Sequence, residues 1–214
     1  MKTNFILIII ISLFTIISFN CQEYDEAGFY QTDSSHRNGA PLPDDIDSLA
    51  FTAQEIAPIM LGDTNTLMRI LLISNYEDSL ILRTPCKDVR PDTSDEILQH
   101  LIKRMYKTVT DTLVDGERLA APQVGISRNI ICVQRKDKAG EPFEVYLNPK
   151  IVQYTSSTHN SLEDCLSMPD IAHELVSRST AIFMEYYKID GTHYSEVVTF
   201  PTSDDIQHAI DHLN

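Results

Sequence analysis

The chain closes on Gln207-His208-Ala209-Ile210-Asp211-His212-Leu213-Asn214, and no other stretch constrains the fold as much. Two histidines four apart on a helix lie one turn above the other on the same face, so both imidazoles reach a single metal ion. The preceding residues suit a helix start. Ser203, Asp204 and Asp205 supply capping groups and negative charge for the N-terminal end of the dipole, and Ile206, Ile210 and Leu213 form an apolar stripe beside the histidines. The hydrolytic zinc pattern H-E-x-x-H places a glutamate after the first histidine, as general base for the attacking water. Ala209 holds that position here. The sequence keeps a metal-binding frame and lacks the residue that makes such a metal hydrolytic.

Two further stretches lie upstream: Glu163-Asp164-Cys165-Leu166-Ser167-Met168-Pro169, and before it Leu119-Ala120-Ala121-Pro122-Gln123-Val124-Gly125. LAAPQVG, E-x-CLS-x-P and QH-x-x-DH, in this order and at these separations, resemble the three motifs of peptide deformylases, over about residues 66–214. Those enzymes remove the formyl group from N-terminal formyl-methionine. The resemblance implies an α+β, peptide deformylase-like fold, with antiparallel β-sheets around a C-terminal metal-binding helix. It implies Cys165, His208 and His212 as ligands of one divalent ion, Fe2+ or Zn2+, and peptide N-termini as what the site binds. It also implies Gln123 as oxyanion donor and the backbone N–H of Leu166 as part of the site. One sulfur and two nitrogens leave a fourth position open, as catalytic sites do and closed structural sites do not. A histidine ligand needs its second nitrogen fixed by an acceptor, and Asp211 with Arg178 is a candidate pair for that supporting layer.

Three positions depart from the family pattern together. Ala209 replaces the glutamate, Asp164 the glycine of E-G-C-L-S, and Arg118 the second glycine of the G-x-G that usually precedes LAAPQ. Arg118 implies strain if that position needs positive φ, or obstruction if it faces substrate. The chain also stops at Asn214, where family members continue the helix. Losing a general acid–base costs about 10²–10⁴ in rate, so weak or absent deformylase activity is expected. Three readings stay open: a weakly working metallohydrolase, a non-catalytic relative (a pseudoenzyme) that binds metal and peptide N-termini, and a decayed paralogue.

The net charge of −14 is unevenly spread: residues 22–65 hold nine acids and one arginine, and residues 66–214 hold 22 acids and 15 bases. No basic patch invites nucleic acid. Lys2 precedes an apolar run from Phe5 to Phe19, short for a membrane span, and Cys21 follows Ser18-Phe19-Asn20. Residues 1–21 therefore read as an export signal with Cys21 as lipidation site. An uncleaved anchor and ordinary signal cleavage are the alternatives. The expected address is a bacterial envelope, attached to the membrane. Residues 22–47, polar and acidic, suit a tether, and 48–65 carry a short helical pattern. Of the other cysteines, Cys132 lies in an apolar run and reads as a buried small hydrophobe.

Within the domain, Met68 to Ser74 reads as a strand. Thr93 and Glu96 form a capping box for a helix running through Leu98, Leu101, Met105, Val109 and Leu113. Asn129 to Gln134 and Phe143 to Leu147 read as strands, the second closed by Asn148-Pro149, with Ile151 to Tyr154 as a continuation of the sheet. Thr155 to Ser161 reads as a loop. Thr180 to Tyr187 and Tyr194 to Phe200 pair as a hairpin about Asp190-Gly191.

Overall fold

The computed structural model describes residues 49–114, 116–169 and 174–214. The export signal, Cys21 and the acidic tether fall outside the described residues. Helices α1 (Ala53–Ile59), α2 (Tyr76–Leu82) and α3 (Glu96–Val109) precede the strands among the described residues. Strands β1 (Arg118–Ala120), β2 (Ile130–Gln134) and β3 (Phe143–Tyr154) follow, then β4 (Thr158–Glu163), β5 (Glu174–Ser179), β6 (Ala181–Tyr187), β7 (His193–Thr199) and the terminal helix α4 (Thr202–Asp211). Among the described residues, the strands form an antiparallel sheet in the order β1-β2-β3-β6-β7 and a separate β4-β5 pair.

Ile130-Ile131-Cys132-Val133 in β2 fixes the layering. Alternate residues of a strand face opposite sides of the sheet, yet all four are buried. Ile130 and Cys132 pack with Leu98, Leu101 and Met105 of α3. Ile131 and Val133 pack with Ile206, Ala209 and Ile210 of α4. A strand apolar on both faces needs cover on both, and α3 and α4 supply it. Cys132 is fully buried as expected, and burial pushes its thiol up to about 12.

Several sequence expectations are corrected. Met68 to Ser74 is no strand, because its backbone bonds go to three different elements and build no ladder. Met68 N–H donates to Thr108 Oγ1 (2.9 Å), Leu71 N–H to the Gln123 carbonyl (2.8 Å) and Ile73 N–H to the Ser167 carbonyl (3.0 Å). The segment thereby ties two of the motif loops to each other. Helix α3 is capped by Asp95, whose Oδ1 accepts from Ile97 and Leu98, and not by Thr93 with Glu96. It ends at Val109, and Leu113, expected on its apolar face, is 88% exposed. Asn148-Pro149 does not separate Phe143 to Leu147 from the continuation expected at Ile151 to Tyr154: both are one strand, β3. Asn148 takes φ +51, its amide brackets Val89 N–H and C=O, and the strand continues through a register shift to Tyr154. The expected loop 155–161 is partly strand, since Thr158 to Glu163 pair with β5.

The start of α4 differs as well. Ser203, Asp204 and Asp205 lie inside the helix and are buried, and its N-cap, Pro201, makes no side-chain cap bond. Ser203 Oγ donates to the carbonyls of Ser179 and Thr180, Asp204 accepts from His159, and Asp205 accepts from Arg118. Tertiary partners have displaced the local capping role.

At the other end of the domain, Thr52 and Glu55 form the capping box of α1. Glu55 also takes the Arg128 guanidinium at 2.6 and 2.8 Å. Arg128, almost fully buried, donates further to the carbonyls of Leu49, Ala50 and Asp88, and sits 5.2 Å from the Phe51 ring centroid.

Candidate metal centre

Layering places α4 against β1 and β2, so its histidine face looks toward the loop that follows β4. That loop carries Cys165. His212 Nε2 lies 3.3 Å from Cys165 Sγ and 3.3 Å from His208 Nε2, and the three ligand atoms all fall within 4.8 Å of one another. With metal–nitrogen bonds of about 2.0–2.1 Å, a tetrahedral ion holds its two nitrogens roughly 3.3 Å apart. The residues therefore fit one ion in both donor type and spacing. The structure brings together all three ligands read from the sequence.

Protonation is compatible with ligation. Burial, with the nearby His208 and Arg118, pushes the His212 pKa down to about 3, so its imidazole is neutral and its lone pair available. Burial raises the Cys165 pKa, against opposing hydrogen bonds from the Ser167 and Met168 amides and the charge of Arg118. A cation binding there displaces the thiol proton.

The group that orients His208 is Glu163. Its Oε2 sits 2.6 Å from His208 Nδ1, which fixes that proton on Nδ1 and leaves Nε2 for a metal. Arg178 in turn forks onto Glu163, Nε to Oε1 at 2.6 Å and Nη2 to Oε2 at 2.9 Å. Burial disfavours the Glu163 carboxylate, but the bonds from Arg178 and His208 outweigh it and bring the pKa down to about 2. Arg178 and Asp211 do pair, at 2.7 Å, as read from the sequence. Asp211 is largely exposed, however, and the acid that faces the histidine is Glu163. Sequence reading missed it although it opens the E-x-CLS-x-P motif. The signal was its place two residues before the cysteine, at the end of β4.

Gln123 is buried, and its amide is held by both ends: Oε1 accepts from Ala120 N–H at 2.9 Å, while Nε2 points to Ser167 Oγ (3.3 Å) and Cys165 Sγ (3.8 Å). The donor half of the amide thus faces the metal ligands. The Leu166 backbone N–H takes no hydrogen-bond partner among the described residues, which leaves it available to a ligand. Ala209 is buried among apolar residues of the α4 face of the sheet, with Ala120 and Ile131.

Gln123, Glu163, Cys165, Leu166 and His208 border a cavity of about 870 Å³. Arg118 crosses it. Its guanidinium reaches Asp205 Oδ1 at 2.5 Å and the Asp164 carbonyl at 2.6 Å, and lies 3.3 Å from His208 Nδ1. The backbone at Arg118 is ordinary strand paired with Val133, so positive φ plays no part and only the side chain intrudes. Asp164 stands exposed at the rim.

Fold and site define a class: an α+β domain with a cysteine–histidine–histidine cluster fit to hold a metal at the foot of its last helix. The chain belongs to the polypeptide deformylase family, whose model matches residues 70–214. It is 32% identical over 149 residues to the peptide deformylase of Desulforudis audaxviator, across 69% of this chain and 90% of that protein. Its structure is similar to that of peptide deformylase from Thermotoga maritima, with TM-score 0.60 and 32% identity over 70% of this chain and 92% of the other. A class I type b peptide deformylase from Acinetobacter baumannii, solved with Met-Ala-Ser bound, aligns at TM-score 0.61 and 27% identity over 70% of this chain and 94% of the other.

Proposed function

We propose that this domain is a deformylase-type centre that binds peptide N-termini at a divalent metal and hydrolyses the formyl group weakly or not at all. Membership of the family supports the reaction class, and a relative with Met-Ala-Ser bound supports a peptide end in the pocket. Cys165, His208 and His212 would hold one ion, Fe2+ or Zn2+. When bound, such an ion supplies Lewis acidity toward a carbonyl oxygen and eases ionisation of water. Gln123, fixed through its Oε1, presents its NH₂ to the formyl oxygen. The Leu166 amide offers a donor to the peptide backbone. Glu163, charged and braced by Arg178, keeps His208 in one tautomer.

The observation that carries the impaired-activity reading is Ala209, which has no proton to take or give. The neighbouring carboxylates are engaged elsewhere: Glu163 with Arg178 and His208, Asp205 with Arg118, Asp204 with His159. The decisive measurement is formyl-methionyl peptide hydrolysis by the metal-loaded protein, compared with Ala209→Glu. If proton transfer is the main defect, that substitution raises the rate by about 10²-fold or more. Adding Arg118→Gly and Asp164→Gly separates a second, steric barrier from the first. A wild-type rate that Ala209→Glu does not improve would overturn the reading and assign the proton to another group.

The address supports the same picture of a relative that has left the family's usual work. The run from Phe5 to Phe19 and Cys21 support export and attachment to a membrane by lipid or by an uncleaved anchor. Among the described residues no helix is long and apolar enough to cross a membrane.

A further inference from the structure

A second concavity, of about 770 Å³, lies beyond the Gln123 loop, framed by α1 and α2. Pro58, Leu61, Leu67, Met68, Ile81 and Val124 give it apolar walls. Large apolar side chains stand exposed on the elements that line it: Leu61 in the lining itself with Met60 beside it just past α1, and Tyr76 and Leu80 one turn apart on α2, whose Ile81 is in the lining. Leu61 and Tyr76 are 73% and 72% exposed. Apolar side chains gathered in this way around one opening mark an interaction surface, unlike scattered ones.

Charge narrows the occupant. The cavity is lined by Arg69, Lys87 and Arg104 against one carboxylate, Glu55, which is already held by Arg128. Arg69 pairs with Asp78, while Arg104 spends its donors on the carbonyls of Pro58, Ile59, Thr66 and Leu67. Lys87 is exposed and has no ion-pair partner among the described residues. Asp63 and Glu77 lie exposed nearby, so this face is close to balanced in a chain of net charge −14. An acidic protein approaching an anionic surface meets least repulsion on such a face. The covalent path leads to the same place. The described chain begins at Leu49, where Arg128 holds the Leu49 and Ala50 carbonyls beside α1, and the 48 residues before it include the apolar run Phe5 to Phe19.

We propose that the α1–α2 face is a lipid-docking surface, on which the domain lies against an anionic bilayer. Leu61, Tyr76 and Leu80 enter the boundary between headgroups and acyl chains, and Lys87 meets lipid phosphates. Docking of this kind is independent of whether the metal centre is active.

The chain has no tryptophan, so a single introduced one reports its own surroundings. The full chain carrying Leu61→Trp or Leu80→Trp is bound to phosphatidylcholine–phosphatidylglycerol vesicles, plain or with brominated acyl chains. Val197→Trp serves as control on β7, four strands from β1 and so about 19 Å across the sheet. We expect blue-shifted emission at 61 and 80 that brominated lipid quenches, with position 197 unaffected. Tyr76→Trp should lose its quenching when Leu61→Asp and Leu80→Asp are added, while circular dichroism shows an unchanged fold. Equal emission in plain and brominated vesicles at 61 and 80 would overturn the proposal. So would a blue shift that grows with protein concentration and ignores lipid, since the occupant is then a second copy of the chain.

Discussion

Glu163 is where the chemistry of single residues is most concentrated. A carboxylate with two strong partners in a half-buried site does two things at once: it fixes the His208 tautomer and takes both prongs of the Arg178 fork. Glu163→Gln retains the shape and loses the charge, so metal affinity should fall by about 10–100-fold, read by competition with a chromogenic chelator. Cys165→Ala and His208→Ala should abolish stoichiometric binding of one divalent ion in elemental analysis of reconstituted protein. A wild-type protein that takes up no ion would sink the ligand assignment. Arg118 shows how a residue's meaning depends on its side chain's surroundings. Burial raises the Asp205 pKa, and Arg118 and Lys136 counter it, so the arginine that crowds the pocket also serves as counter-charge to a carboxylate the pocket buries.

Elements carry two further expectations. Helix propensity alone would let Ala209 become glutamate at little cost, since both are good helix formers. Its burial against the sheet says otherwise: a carboxylate there must turn into the metal cavity or stay desolvated. Ala209→Glu should therefore lower the melting temperature while raising hydrolysis, checked by calorimetry beside the assay. Helix α1 is joined to the domain through Glu55 and Arg128. Burial opposes the Glu55 charge, but the Arg128 bond and the Thr52 donors overcome it and lower the pKa from 4.5 to about 2. A depressed carboxylate stabilises the fold above its unfolded pKa, and that contribution fades as pH falls from about 4.5 toward about 2. Glu55→Ala should destabilise the protein by about 3 kcal/mol near neutrality, the low end for breaking a buried pair because the carbonyl partners of Arg128 remain. Denaturant melts of variant and wild type should converge at acid pH. A gap that is constant from neutrality to acid would show that α1 owes nothing to this pair.

At the scale of the whole molecule a metal held by Cys165, His208 and His212 would be a cross-link. It would join the loop after β4 to the last helix, and a ligand that binds only the folded state adds about 2.7 kcal/mol at a hundredfold excess over Kd. Chelation should lower the melting temperature of wild type and leave that of Cys165→Ala unchanged. The proposed address has its own test. With Cys21 lipidated, the mature protein should enter the detergent-rich phase, and Cys21→Ala should accumulate as unprocessed precursor. Unchanged processing and partitioning in that variant would rule out the lipoprotein reading in favour of an anchor or plain signal cleavage.

By itself the sequence determined what is local or chemically unambiguous. Helical spacing set α3, an apolar run set β2, strand alternation set the β6–β7 hairpin, and the residue types at 165, 208 and 212 set the candidate metal centre. Ala209 is a fact of sequence too. Only the tertiary structure decided which partners polar groups take, because a buried donor or acceptor pairs with whatever the packing brings near and not with its neighbour in the chain. Hence Asp204 and Asp205 abandon capping for His159 and Arg118, the 68–74 segment divides its amides among three elements, and Glu163 rather than Asp211 faces His208. Arg128 looks like any surface arginine until α1 folds over it. Burial and long-range pairing arise from residues far apart in sequence, and a single chain read in order carries no record of which of them meet.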